Sequence, residues 1–360
     1  MMHPVVIAAG GTGGHVIPAL AVADELRQRD IPVVWLGTHA GLEARLVPAA
    51  GIDIRWISVA GLRGKTVLQT LTGPFKLMLS CLQSLQIVYS LKPRAVLGMG
   101  GFVSGPVGIA ALILRKPLVL HEQNAVAGMT NRHLSGLARR VFSAFPGTFS
   151  SNVNEQVVGN PVNKIFEELA NSTPEKSQRC REALPFRILI VGGSRGARAL
   201  NEIVPLAIAQ LDEPVEVRHQ AGMHDGDLVR GLYQSATKAD CTVSEFIDDI
   251  ATAYQHADLV ICRSGAMTVT ELSALGLPSI LVPFPYAVDD HQTKNAEHLS
   301  SVGAAVLMPQ DGLTPETLAK IIRTLLMDPI ALGKMRSAAR SCFIPAAAAA
   351  VADALVEVSI

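Results

Sequence analysis

A chain of 360 residues has room for two domains of ordinary size. With 49% hydrophobic and 17% charged residues it can bury large cores, which excludes a disordered chain. Lys plus Arg equals Asp plus Glu, at 31 each, and only 4% of residues are aromatic. That balance excludes a global basic field and base-stacking platforms, so no nucleic-acid partner is expected. The first element is an apolar strand, Val5–Ala9, which breaks into Gly10-Gly11-Thr12-Gly13-Gly14-His15 ahead of a helical pattern opening at Pro18. No basic segment precedes the run, so it reads as a buried strand rather than a signal peptide.

Further strands are predicted at Pro32–Leu36, Ile54–Val59, Ala95–Leu97, Leu118–Leu120, Ile188–Val191, Val215–His219, Leu259–Cys262 and Ser279–Val282. Many are continuously apolar, as in parallel strands covered on both faces. Their alternation with helical patterns predicts β-α-β units in doubly wound sheets. The uncharged stretch between Arg94 and Arg115 has the length of a membrane span. However, Gly98, Gly100, Gly101, Gly105 and Pro106 cut it into a strand, a loop and a helix start. Before it, Phe75, Met78, Leu79, Leu82 and Leu85 recur at helical spacing with Lys76 beside them. Such a stripe is either a core face or a membrane-surface face. The cysteines, Cys81, Cys180, Cys241, Cys262 and Cys342, lie far apart with no metal-ligand spacing, as scattered reduced thiols do.

The chain repeats itself once. The segment from Val6, VIAAGGTGGHVIP, matches ILIVGGSRGARAL from Ile188. A single repeat predicts two similar domains, joined near Gly159-Asn160-Pro161. The expected boundaries are 1–160 and 161–339, with a helical, alanine-rich segment over about 340–360. Ligands of open α/β sheets bind beyond the carboxyl ends of the strands. Two Rossmann-like doubly wound domains facing across a cleft would therefore put a glycine loop on each wall.

A glycine loop entering a helix N-terminus offers free N–H groups and the positive end of the helix dipole to an anion. Loops follow Ala9 and Val191, and Gly98–Pro106 supplies a third. The dinucleotide fingerprint fails, because Val16 stands where its last glycine belongs and the second strand ends in Gly37-Thr38 with no carboxylate. A P-loop in Val59–Thr66 fails at Val59. Asp225-Gly226-Asp227 is either a turn or a metal-holding carboxylate pair. His15 aligns with Ala197 in the repeat, so the loop itself does not demand an imidazole there. At a helix mouth the dipole disfavours its charged form, leaving a neutral general-base candidate; otherwise it is a hydrogen-bonding residue only. In the second half, Thr268 and Glu271 stand one helical turn apart after Ser264-Gly265-Ala266. They suit a phosphate and a ribose diol, or else form a capping box.

The stretches GGTGGH, GMGGFVSGP, HEQNAVAG, GNPV, GGSRGA, AMTVTE and DDHQTKNA occur in the order and spacing of the MurG family, which the chain resembles from its first strand to about residue 300. The resemblance implies the two-domain GT-B glycosyltransferase fold, with the final helix returning to the N-terminal domain. The implied reaction moves N-acetylglucosamine from UDP-GlcNAc to the 4-hydroxyl of the muramoyl sugar of undecaprenyl-pyrophosphoryl-MurNAc-pentapeptide, with inversion. It also implies no cofactor, UDP-GlcNAc being a co-substrate, and no metal. His15 falls at the family's catalytic-base position, and Glu122, in the acceptor cleft, is the second catalytic candidate. Thr12, Gly13, Gly14 and Asn124 fall near the transferred sugar and acceptor. Ser194 falls at the diphosphate, Ile247 at the uracil through its backbone, and Gln292 at the sugar. Ala266, Met267, Thr268, Val269, Thr270 and Glu271 span the phosphate-to-ribose segment. Three positions depart from the family pattern: Asn163, followed by Lys164, stands where an arginine is common, Arg195 replaces a Gln or Leu, and Phe102 a tyrosine. A peripheral place on the cytoplasmic face of the bacterial cell membrane follows, with cell-wall synthesis proteins as partners. Arg115, Lys116, Arg139 and Arg140 are the expected basic contacts. The rival readings are a UDP-GlcNAc 2-epimerase and a non-enzymatic nucleotide-sugar-binding scaffold.

Overall fold

A computed structural model describes residues 3–59, 67–172, 185–193, 196–237 and 239–359. The chain divides into two compact units, residues 1–163 with 344–360, and residues 164–343. In the first unit the chain runs β1 (Val5–Ala8), α1 (Gly13–Gln28), β2 (Val33–Gly37), α2 (Glu43–Ala49), β3 (Asp53–Trp56), α3 (Val67–Leu91) and β4 (Ala95–Gly98). It continues through α4 (Gly101–Ile113), β5 (Leu118–Glu122), α5 (Met129–Leu134), β6 (Arg140–Ser143) and β7 (Glu155–Val157). The sheet order is β3-β2-β1-β4-β5-β6-β7, and every pairing is parallel. β1, β4 and β5 are wholly buried, as their unbroken apolar runs require.

The second unit holds α6 (Lys164–Ser172), β8 (Phe186–Val191), α7 (Arg198–Ile208), β9 (Val215–Gln220), α8 (Gly226–Ala236), β10 (Asp240–Ser244) and α9 (Ile250–His256). β11 (Leu259–Cys262), α10 (Ala266–Leu275), β12 (Ser279–Leu281), α11 (His291–Ser300), β13 (Ala305–Leu307), α12 (Pro315–Met327) and α13 (Pro329–Ser341) follow. Its parallel sheet runs β10-β9-β8-β11-β12-β13. Counted within each unit, both sheets share the order 3-2-1-4-5-6, so the repeat is one of topology as well as sequence. Finally α14 (Ala347–Glu357) packs on α1 of the first unit, where Val351, Ala352 and Leu355 join its core.

The stretch between Arg94 and Arg115 is a strand, a glycine turn and a 13-residue helix. Among the described residues no helix is long and apolar enough to cross a membrane. The stripe on α3 divides: Leu85 packs against the core, whereas Phe75, Met78, Leu79 and Leu82 are 39–65% exposed. For those four the core-face alternative does not hold.

His15 lies inside the first turn of α1, whereas α7 begins at Arg198 with Ala197 as its N-cap. The aligned residues thus fall at different points of their helix starts, His15 within the first turn and Ala197 just ahead of it. In the second unit Gly193 and Gly196 both have positive φ ahead of the helix.

Candidate active site

The carboxyl end of the first sheet gathers three of the singled-out stretches around His15. α1 starts at Gly13 with no side-chain cap from Thr12; the His15 N–H donates to the Thr12 carbonyl at 3.2 Å, and the Gly13 and Gly14 N–H groups precede it at the helix mouth, where an anion is favoured. One turn in, His15 Nδ1 lies 2.8 Å from Oε1 of Gln123, which follows β5. The loop after β4 presses on the other side of the ring. A Cβ at Gly100 would sit 3.0 Å from the imidazole, and one at Gly101 would sit 2.7 Å from the Gly10 carbonyl. Both glycines also have positive φ, which a side chain would strain. Phe102 lies against Gly11, where a Cβ would meet its ring at 3.3 Å. Thr12 is exposed, while Gly13 and Gly14 are half-buried at the helix start.

Glu122 has a different place from that of a free catalytic group. It is 1% exposed, and its two oxygens accept from the Asn124 N–H and Nδ2 at 3.1 and 3.2 Å, the Gly128 N–H at 3.0 Å and Asn131 Nδ2 at 2.9 Å. Four donors saturate the carboxylate, so it organises the loop over 122–131. Asn124 is held by that carboxylate and is half-buried.

In the second unit the expected donor residues lie at the matching sheet end. α10 starts at Gly265 with no side-chain cap, so Thr268 and Glu271 do not form a capping box. Ser264 is fully buried and its hydroxyl donates to the Gln292 carbonyl at 2.7 Å, joining the starts of α10 and α11. The Gln292 side chain accepts from the Phe284 N–H at 2.9 Å. Ala266, Met267, Val269 and Thr270 are buried, and the Thr270 hydroxyl donates back to the Ala266 carbonyl. Thr268 and Glu271 are the two residues of this segment that keep part of their surface exposed. The Tyr254 hydroxyl faces both Thr268 and Glu271. Although Glu271 keeps a partly exposed flank, its carboxyl is packed inward, and burial pushes its pKa up to about 8.

Ile247 is 4% exposed in the loop after β10. Asn163 and Lys164 are exposed where one unit gives way to the other, and Lys164 lies 3.9 Å from Glu168 on its own helix. Ser194 and Arg195, with the tempting Gly61–Thr66 segment and Cys180, lie outside the described residues.

Two family models match the chain: the glycosyltransferase family 28 N-terminal domain over residues 5–143 and the C-terminal domain over residues 187–355. A Methylococcus capsulatus protein named UDP-N-acetylglucosamine--N-acetylmuramyl-(pentapeptide) pyrophosphoryl-undecaprenol N-acetylglucosamine transferase is 50% identical over 358 residues, 99% of each chain. The chain belongs to glycosyltransferase family 28. The crystal structure of Acinetobacter baumannii MurG shares 41% identity and a TM-score of 0.83, covering 98% of this chain and 99% of that one. A UDP-GlcNAc 2-epimerase from Neisseria meningitidis covers 99% of the chain at TM-score 0.68, but at 15% identity it shows the fold alone.

For this family 28 chain, sequence reading missed several residues that shape the site. Glu43, fully buried, accepts the Gly11 N–H at 2.9 Å and both the N–H and hydroxyl of Thr38. Asn201, fully buried, donates to the Ala221 carbonyl at 2.9 Å and to Asp225 at 2.8 Å, tying α7 to the loop after β9. Its Oδ1 meets buried His219, which also touches the Tyr233 hydroxyl. Asp225 is the N-cap residue of α8 and accepts from Asn201, while Asp227 in the first turn of that helix pairs with Arg230. Among the described residues no cluster of three or more His, Cys, Asp or Glu is placed to hold a metal. A glutamate opening a short helix, or a glutamine inside HEQN, carries no periodic signal; only the contact reveals it.

Proposed function

We propose that the chain transfers N-acetylglucosamine from UDP-GlcNAc to the 4-hydroxyl of the muramoyl sugar on undecaprenyl-pyrophosphoryl-MurNAc-pentapeptide, with inversion. What supports this is identity at half of all positions, over the whole length, to a relative whose name states that transfer. The observation that carries it in the structure is His15, held against Gln123 at the uncapped start of α1. In the proposed reaction the His15 imidazole takes the acceptor hydroxyl's proton as that oxygen attacks the anomeric carbon. The bond to UDP breaks, and its electron pair leaves on the diphosphate. The second unit binds the donor: Glu271 reads the ribose diol, Gln292 the sugar, Ile247 the uracil through its backbone, and Ser194 the diphosphate. The N–H groups opening α10 and its dipole stabilise the departing charge. Asn163 and Lys164 stand near the nucleotide in this reading, with Lys164 supplying a cation. Thr12, Gly13, Gly14 and Asn124 hold the acceptor, and Glu122 keeps their loop in shape. With these groups in place the reaction needs no cofactor beyond its co-substrate.

The polyprenyl acceptor requires contact with a membrane. We infer that the protein docks peripherally on the cytoplasmic face through α3. The supporting feature is the exposed set Phe75, Met78, Leu79 and Leu82, with Ile113 of the packed neighbour α4 63% exposed and Lys76, Arg115 and Arg139 also exposed. Arg140 takes a smaller part, because Glu357 already pairs with it at 2.9 Å. The direct test follows label from UDP-GlcNAc with and without a short-chain polyprenyl acceptor. Acceptor-dependent label in the lipid fraction is the expected result. Label that turns up as a 2-epimer would favour the epimerase, and label that is bound but never moved would favour the scaffold.

A further inference from the structure

His121 and Gln123 are both fully buried and neither has a place in the reaction as written. They form a continuous hydrogen-bonded path from the main chain to His15. His121 Nε2 is 2.9 Å from the Gly159 carbonyl oxygen, and its Nδ1 is 3.1 Å from Gln123 Nε2. Gln123 Nε2 is also 3.1 Å from the His121 carbonyl oxygen, and Gln123 Oε1 is 2.8 Å from His15 Nδ1.

Two of these groups are carbonyl oxygens, which can only accept, and that decides the rest. The Gly159 carbonyl requires a proton on His121 Nε2. Burial lowers the His121 pKa to about 4, so the ring is neutral and its Nδ1 is left as an acceptor. That nitrogen and the His121 carbonyl both call for donors, so the Gln123 amide must turn its NH2 towards them. Its Oε1 then faces His15, and an amide oxygen has no proton to give. His15 Nδ1 must therefore carry the proton, and the lone pair falls on Nε2.

We propose that His121 and Gln123 are positioning residues that fix His15 in the Nδ1–H tautomer, presenting Nε2 as the basic nitrogen to the acceptor hydroxyl. The inference rests on the proposed role of His15 as base, but it concerns a proton position that can be read without turnover. Gly159 and Asn160 acquire a reason as well. Gly159 supplies the carbonyl that starts the path, at a positive φ where a Cβ would strike Ile344. Asn160 Nδ2 donates to the Gln123 carbonyl at 3.1 Å and holds its backbone.

The test is long-range nitrogen–proton NMR on the full chain with ring-labelled histidine, the His15 signals being assigned by their loss in His15→Gln. The expected spectrum shows His15 protonated on Nδ1 and His121 protonated on Nε2. In Gln123→Met, which removes both amide groups, His15 shifts towards the Nε2–H form. Turnover should fall, by no more than the roughly 10²–10⁴-fold that a general base supplies, while the KM for UDP-GlcNAc stays unmoved. Gln123→Glu offers an acceptor whichever way it turns and should keep the Nδ1–H form. A wild-type His15 protonated on Nε2, or a Gln123→Met spectrum unchanged from wild type, would overturn the proposal. Should Gln123→Met fail to fold, the wild-type and Gln123→Glu spectra still decide it. A base role for His15 fails separately, through full turnover in His15→Ala with the tautomers as expected.

Discussion

Glu43 Oε2 accepts the Gly11 N–H at 2.9 Å, tying the first glycine loop to the start of α2. The other oxygen takes the Thr38 N–H and hydroxyl, at 3.0 and 2.8 Å. Because the side chain is fully buried, its loss leaves these donors with no water to replace it. Glu43→Ala should therefore cost roughly 2–4 kcal/mol in urea unfolding, the penalty for orphaned buried donors. It should also lower turnover, since the loop beside His15 loosens. Glu43→Gln, which keeps one acceptor oxygen, should fall between. Wild-type stability in Glu43→Ala would show that the carboxylate does not hold the loop.

Two buried histidines make the fold sensitive to acid. Burial lowers His121 to about 4 and His219 to about 3, from 6.5 in an exposed chain. Both folded values lie below the unfolded one, so the unfolded chain takes up protons first as the pH drops. Stability is complete above about pH 6.5 and is lost between there and the folded values. By pH 5 the loss should be roughly 2 kcal/mol for each histidine. Melting temperatures across this range should fall steadily, and a flat profile would contradict the buried neutral rings.

Glu271 titrates in the opposite sense. Its folded value near 8 lies above the ordinary 4.5, because burial disfavours the charge more than the Tyr254 hydroxyl favours it. The carboxyl thus contributes stability below pH 4.5 that is lost as the pH rises through 8. Glu271→Gln, an isostere of the neutral acid, should remove this alkaline loss and keep most UDP-GlcNAc affinity at neutral pH. Glu271→Ala should weaken donor binding at least tenfold, about 1.4 kcal/mol. Calorimetric titration separates the two, and equal affinities in wild type and Glu271→Ala would remove the residue from the donor site.

The strands whose side chains are buried on both faces were legible because burial writes an unbroken apolar run: β11 was read at Leu259–Cys262 and is found there. β7, Glu-Gln-Val, and β10, Asp-Cys-Thr-Val-Ser, escaped because edge strands keep polar, solvent-facing residues and lose that signal. His15 stood out by its place at a helix mouth. Gln123 did not, although it lies within a stretch singled out for other residues. Its pairing with His15 spans 108 residues, and no local period records a contact made by the folded sheet.

The exposed apolar residues of α3 make a prediction independent of chemistry. Phe75 and Leu82 are 65% and 57% exposed, so Phe75→Ser with Leu82→Ser should leave the melting temperature nearly unchanged. Sedimentation with anionic vesicles should fall roughly tenfold or more, since two large apolar side chains no longer enter the interface. Undiminished binding would place the membrane contact elsewhere.

The most direct test of the account is the turnover of His15→Ala with UDP-GlcNAc and the polyprenyl acceptor, measured beside its affinity for UDP-GlcNAc. The expected result is a loss of roughly 10²–10⁴-fold in kcat with donor affinity unchanged, because His15 belongs to the first unit and the proposed donor contacts to the second. Turnover equal to that of wild type would contradict it.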